Sequence, residues 1–514
     1  MTPFIRKRGR HFCKGVFFLF LVVFPLTFFS AEAAGAPVGI TILHVNDTHG
    51  RILPEVEKGV NKKRPVGGAA WLAKMVEKER EKNPGGTLLL SAGDMFQGTA
   101  VSREFNGKPV LDVMNDMKFD AMAVGNHEFD WGKNVLADLS RAARFPFLSA
   151  NIRDGDGKRP PWLKPYVILE RERLKIAVIG MTTELTRYIV KPENVKGLSF
   201  LEAGDALPPA IKEAKSQGAK TIVVLSHAGL DADKQIAQEI PGIDVIVGGH
   251  SHTAVTTPVV AGRTIIVQAG CCGHFLGVLR LKIDPESGRV VEFMKTRVLK
   301  KVYSGPNDPF DPNIAGIVKR YHDRIKDRFS VVVGETAVDL VRNYGGESNI
   351  GNLIGDAMRE AEKADIAFHN SGGIRGNVPA GKITLEQLYA VLPFDDVLVS
   401  MDLTGKQILL ILEQNAAVER GILQVSGLKV KYDMTRPVGE RVVDVEVGGR
   451  PLRPGKSYRV VTTDFVAAGG KKFAAFREGK NVRYGDDMRD ALVAYLKRHS
   501  PVRPEIEGRI VFVK

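Results

Sequence analysis

Ile40-Thr41-Ile42-Leu43-His44-Val45, running directly into Asn46-Asp47-Thr48-His49-Gly50, is the stretch on which the fold reading turns. A short apolar, β-branched run ends abruptly in side chains that bind metals. Because the run is continuous rather than alternating, it predicts a strand covered on both faces. On extended chain, residues two apart face the same way, so Asp47 and His49 can grip one ion together. The same device recurs along the chain. Apolar runs at 87–90, 121–124, 221–225 and 244–247 lead into Gly93-Asp94, Gly125-Asn126-His127-Glu128-Phe129-Asp130, Ser226-His227 and Gly248-Gly249-His250-Ser251-His252. Further runs at 175–179 and 264–267, with amphipathic stretches at 69–81 and 206–217, complete an alternation that predicts an α/β domain whose sites gather at strand ends.

Beyond this domain, three prolines between Ser304 and Pro312 exclude regular structure. Asn313 then reads as the cap of a helix whose Ile314, Ile317, Val318, Tyr321, Ile325 and Phe329 keep helical spacing. A second set of helices (349–362, 405–415) and strands (428–432, 442–447, 458–463) follows. The expected organisation is a leader over 1–33, a catalytic domain over 34–300, a linker with its helix over 301–329 and a second domain over 330–514. A chain of 514 residues has room for two to four domains, and 44% apolar with 26% charged residues excludes disorder along most of it.

The leader is expected from a basic head (Arg6, Lys7, Arg8, Arg10, Lys14), an apolar centre from Val16 to Phe29 and small residues around Ala31-Glu32-Ala33. Such a segment directs export and is cleaved, so a periplasmic or extracellular protein without a stable membrane anchor is expected. Without it the formal charge of +14 falls to about +10. The remaining basic residues are scattered among acids with no aromatic-lined basic groove, so small anions rather than nucleic acid are the expected partners. Cys271 and Cys272, adjacent after a strand, are expected to be small buried residues rather than a disulfide.

One Asp or His at a strand end is commonly a cap. Five such ends in one domain are a site. Mixed carboxylate, amide and imidazole ligands without thiolate suit two adjacent divalent ions such as Mn, Zn, Co or Fe.

The strings LHVNDTHG, GDMFQGT, GNHEFDWG, LSHAG and GGHSHT, followed by GNLIGDAM, HNSGGIRG and VLPFDD, closely resemble the exported 5′-nucleotidase family of the calcineurin-like metallophosphoesterases. The resemblance covers nearly the whole chain after the leader. It implies an α/β fold: an N-terminal αββα metallophosphoesterase sandwich, a linker helix and a C-terminal α/β 5′-nucleotidase substrate-binding domain. It also implies a phosphohydrolase acting on nucleotides, most directly at the 5′ position. Hydrolysis of 2′,3′-cyclic nucleotides, 3′-nucleotides or UDP-sugars stays open, as more remotely do a sulfur-compound hydrolase and a non-catalytic nucleotide-binding protein.

By motif, one ion would take Asp47, His49, Asp94 and His252, and the other Asp94, Asn126, His227 and His250. His127, oriented by Asp130, would be catalytic, stabilising charge on the phosphoryl group. Arg375, Asn370, Gly372, Gly373 and Arg51 would contact substrate, and Phe394 and Phe473 would sandwich the base. Two departures stand out. Tyr344 occupies a place where the family often has Arg, with Arg342 two residues earlier, and Lys471 and Lys472 replace an Asp-Gly pair beside the expected base pocket.

Overall fold

The computed structural model describes residues 36–55, 64–418, 421–470 and 473–513. The expected leader and the Lys471-Lys472 pair lie outside them. The first domain is built on two sheets. In the first, strand Val38–Val45 lies parallel to Thr87–Ser91, which continues in parallel to Ala121–Ala123 and Phe147–Leu148. On its other side Val38–Val45 pairs antiparallel with Phe275–Ile283. In the second sheet, Leu174–Thr182, Thr221–His227, Val245–Gly248 and Thr264–Gln268 run parallel.

The sheets face each other across a core that includes Ile40, Ile42, Leu88, Leu90, Val178, Val223, Leu225 and Val247. Helices Ala203–Ser216 and Leu230–Glu239 pack on the outer face of the second sheet. Ala69–Arg80 and Lys108–Asp116 cover the first. Both faces of each strand are therefore buried, which is why the strands read as unbroken apolar runs.

The helix expected after the prolines is Pro312–Phe329. Its cap is Asp311, not Asn313: the Asp311 side chain accepts from the Asn313 and Ile314 amides, and Pro312 takes the first helical position where a missing N–H costs nothing. All six residues of the expected stripe are buried, and they pack into the first domain's core.

The second domain centres on a five-stranded sheet that includes Ile366–Asn370, Val397–Thr404 and Ser457–Thr463. Asn349–Ala361 and Met488–His499 cover one face, and Gly405–Ala416 the other. Ion pairs join the domains, among them Arg103 with Asp395 and Lys191 with Asp464.

Candidate active site

The parallel strands of both sheets end at one rim. The first sheet brings Asp47, His49, Asp94 and Asn126 there, and the second brings His227, His250 and His252. Their ligating atoms form three overlapping groups, Asp47–His49–His252, His49–Asp94–His127 and Asp94–His227–His250, each lying within 4.8 Å. Asp94 belongs to two of them. Asn126 Oδ1 lies 2.9 Å from His250 Nδ1.

The donor set fits cations. His49 Nε2 confronts His252 Nε2 at 3.1 Å, and His252 Nε2 lies 3.2 Å from Asp47 Oδ1. His227 uses Nδ1 on the Ala92 carbonyl at 2.7 Å, which turns Nε2 toward Asp94 Oδ2 at 3.0 Å. Lone pairs aimed at one another are what a shared positive charge reconciles. The same demand appears in the titration of His227: burial disfavours its cation, but Asp94 and Asp47 outweigh burial and push it up to about 10.

Asp47, His49, Asp94, His250 and His252 all have left-handed backbone, with φ of 50, 50, 54, 69 and 57°. Such conformations cost non-glycine residues about 1–3 kcal/mol each, and persist where surrounding structure fixes them. Several groups do so. Asn46 donates to Asp47 Oδ2 at 2.7 Å and to the Gly270 carbonyl, while accepting from the Ala269 amide. The Cys272 amide donates to the Asp47 carbonyl at 2.7 Å, so the cysteine turn braces the first ligand loop; both thiols are free and only half-buried. The buried Glu128 carboxylate accepts from the amides of Asp94, Met95 and Gly125 at 2.7–2.8 Å. Sequence reasoning missed Glu128; its only signal was an acid inside a motif already full of ligand types. Burial, helped by the charge of Asp94, raises its carboxyl to about 7.

His127 Nδ1 lies 2.7 Å from Asp130 Oδ2, and its amide donates to Asp94 Oδ1 at 2.8 Å. Burial opposes its cation, but Asp130 and Asp94 prevail and raise its pKa above that of a free imidazole. The Phe394 ring stacks beside it, centroids 5.4 Å apart.

A cavity of about 960 Å³ opens from this rim between the domains, lined from the second domain by Tyr344, Asn370, Gly372, Arg375, Phe394 and Phe465 among others. Arg375 Nη2 reaches His49 Nε2 at 2.9 Å. Three expected contacts are not on this wall. Phe473 is fully buried in the second domain's core against Phe476, and the nearby Phe465 joins Phe394 in lining the cavity. Gly470 makes room for that ring, since a Cβ there would fall 2.6 Å from Phe465 Cζ. Arg51 is held behind the wall by Glu55, 3.3 Å away, and donates to the Arg375 carbonyl at 3.2 Å. Gly373 packs on His369 beneath the cavity rather than lining it. Arg342 likewise does not line it: its Nη1 donates to the hydroxyl of Tyr344 at 2.6 Å, and it is Tyr344 that faces the cavity.

Two facing sheets with metal-binding loops at the carboxyl ends of their parallel strands, closed by a second domain that presents an arginine, define a metal-dependent phosphoester hydrolase. Residues 40–254 match the calcineurin-like phosphoesterase family, and residues 332–478 match the 5′-nucleotidase C-terminal domain. The chain is 34% identical to a 5′-nucleotidase of Bos taurus, over 93% of this chain and 92% of that one. The crystal structure of a 5′-nucleotidase precursor from Thermus thermophilus matches with a TM-score of 0.85 and 34% identity, covering 93% of this chain and 99% of that one. A sulfate thiohydrolase from the same organism shares the fold, with a TM-score of 0.80 at 24% identity over 92% of this chain and 96% of that one. The chain belongs to the 5′-nucleotidase family of calcineurin-like phosphoesterases, a family whose chemistry uses divalent metal ions.

Proposed function

We propose that this protein hydrolyses nucleoside 5′-monophosphates to nucleoside and phosphate, with two divalent ions of the Mn, Zn, Co or Fe type at the rim. Asp47, His49, Asp94 and His252 would hold one ion, and Asp94, Asn126, His227 and His250 the other. Divalent ions there acidify water and offset phosphoryl charge. The observation that carries the reading is the cavity itself, which runs continuously from the His and Asp rim to the aromatic and arginine wall of the second domain.

The protein's own groups divide the remaining work. Arg375 is placed to grip phosphoryl oxygens through its planar fork. His127, kept oriented by Asp130, is placed to donate to an oxygen that gains charge as water adds to phosphorus. The P–O5′ bond then breaks, and the departing oxygen takes up a proton equivalent to the one the attacking water gives up, so that nucleoside and phosphate leave. Phe394 and Phe465 offer flat surfaces to the nucleoside end. Export rests on the basic head and apolar centre of residues 1–33; among the described residues, no helix is long and apolar enough to cross a membrane.

The test is phosphate release by residues 34–514 loaded with Mn, Zn or Co. Substrates are AMP, 3′-AMP, a 2′,3′-cyclic nucleotide, ADP, UDP-glucose and p-nitrophenyl phosphate. AMP turnover that collapses in His127→Ala supports the proposal. Turnover of p-nitrophenyl phosphate without any nucleotide turnover overturns it.

A further inference from the structure

A cluster of reactive side chains outside the cavity is tied to the rim by its backbone. Cys271 and Cys272 are free and half-buried, with their thiols within interaction range of one another. The Arg51 guanidinium stands within electrostatic reach of both sulfurs. Glu55 holds it there, accepting from Arg51 Nε at 3.3 Å, while its other oxygen lies 2.5 Å from His274 Nε2. A cation beside a thiol favours the thiolate, the form that reacts. Cys272 is left-handed, with φ of 66°, and its amide donates to the Asp47 carbonyl at 2.7 Å. That N–H belongs to the peptide unit joining the two cysteines. Neighbouring Cα atoms stand about 3.8 Å apart across a trans peptide, whereas the Cα atoms of a disulfide are usually about 4.4–6.8 Å apart. A bond between these two sulfurs therefore requires the linking peptide to leave its present orientation, and its hydrogen bond to Asp47 is lost with it.

We propose that Cys271 and Cys272 form a redox modification site, at which hydrogen peroxide converts the two thiols to a disulfide that releases the Asp47 loop and weakens metal binding at the rim. This rests on the reading of Asp47 as a metal ligand and not on the identity of the substrate. One thiolate attacks a peroxide oxygen; the O–O bond breaks, hydroxide leaves and takes a proton, and a sulfenic acid remains. The neighbouring thiol attacks that sulfur, the S–S bond forms, and the displaced hydroxyl leaves with the thiol proton as water. Two electrons from the pair thus reduce one peroxide to two waters. A strained disulfide is readily reduced again, so the modification is reversible.

Residues 34–514 contain no other cysteine, so the thiols are counted without ambiguity. The chain is loaded with zinc, which has no redox chemistry of its own, treated with hydrogen peroxide and then with tris(carboxyethyl)phosphine. Peroxide is expected to remove both titratable thiols and to leave the peptide carrying them lighter by two hydrogens. Zinc affinity, read by competition with a chelator, is expected to fall by about tenfold or more, the scale for loss of a support behind a ligand. The phosphine should restore thiols and affinity together. Cys271→Ser and Cys272→Ser keep the backbone but lack one sulfur, so their zinc affinity is expected to withstand peroxide; if neither folds, reversal by the phosphine in the wild type decides. Thiols that survive peroxide, oxidation that the phosphine does not reverse, or a disulfide joining two chains overturns the site. A disulfide within the chain that leaves zinc affinity unchanged overturns the switch. Equal zinc affinity in the reduced wild type and in Asp47→Ala overturns Asp47 as a ligand, and the switch with it, even where the thiols pair. No readout uses a substrate, so failure of the nucleotide reading is scored separately.

Discussion

Arg375 of the second domain lies 2.9 Å, Nη2 to Nε2, from His49 of the first. The side chain best suited to grip phosphate thus sits against a candidate metal ligand contributed by the other domain. Its backbone is fixed there too, by Arg51 on its carbonyl and by its own amide on the Val391 carbonyl. Juxtaposition of the domains, and not either alone, completes the site.

Arg375→Lys keeps the charge and loses the two-pronged geometry. We expect kcat/KM for AMP to fall by roughly ten- to a hundredfold, the worth of a lost charge-assisted contact. Metal content should not change. Loss of metal in this variant would make Arg375 a support for His49 rather than a substrate contact.

His127 and Asp130 should separate by role. His127→Ala is expected to lower kcat about 10²–10³-fold with the ions retained, because it removes a donor to developing charge. Asp130→Asn leaves the imidazole in place with its orientation weakened, so the expected loss is smaller. Elemental analysis decides the matter: a variant at His127 that has lost an ion identifies His127 as a ligand.

Glu128→Gln tests the carboxylate that gathers the Asp94, Met95 and Gly125 amides. The introduced amide group faces those N–H donors and leaves at least one unpaired, at about 1–3 kcal/mol. Supports of this kind typically change metal affinity by about 10–100-fold. We therefore expect weaker metal binding and a lower Tm in the loaded chain, read by competition with a chelator and by calorimetry. Unaltered affinity would make Glu128 a structural acid only.

The strands were legible because burial on both faces leaves an apolar run, and the ligand candidates because each run ended in a metal-binding type. These seven candidates lie together at one rim. What sequence did not expose was conformation. Nothing in the string LHVNDTHG announces that Asp47 and His49 are left-handed, since only glycine advertises that region. Phe473 and Phe465 show the same limit: both are aromatics near a Gly-Gly pair, and only packing decides that one enters the core while the other faces the cavity. Arg51 reads as a substrate contact until the fold supplies Glu55 as its partner.

Two histidines outside the reaction predict how acid acts on the fold. His44 and His369 are fully buried, and among the described residues neither ring has a hydrogen-bond partner. Burial lowers His44 to about 3 and His369 to about 4. An unfolded chain protonates both near 6.5, so below that pH the unfolded state binds more protons than the folded one. Stability is therefore complete above about 6.5 and is lost as pH falls toward 4, each histidine contributing about 1.4 kcal/mol per pH unit across its window. Urea unfolding in the presence of a chelator, between pH 7 and 4.5, isolates this from metal release. His369→Leu should flatten the slope by about one histidine's share, and an unchanged slope would mean that His369 is protonated in the folded chain.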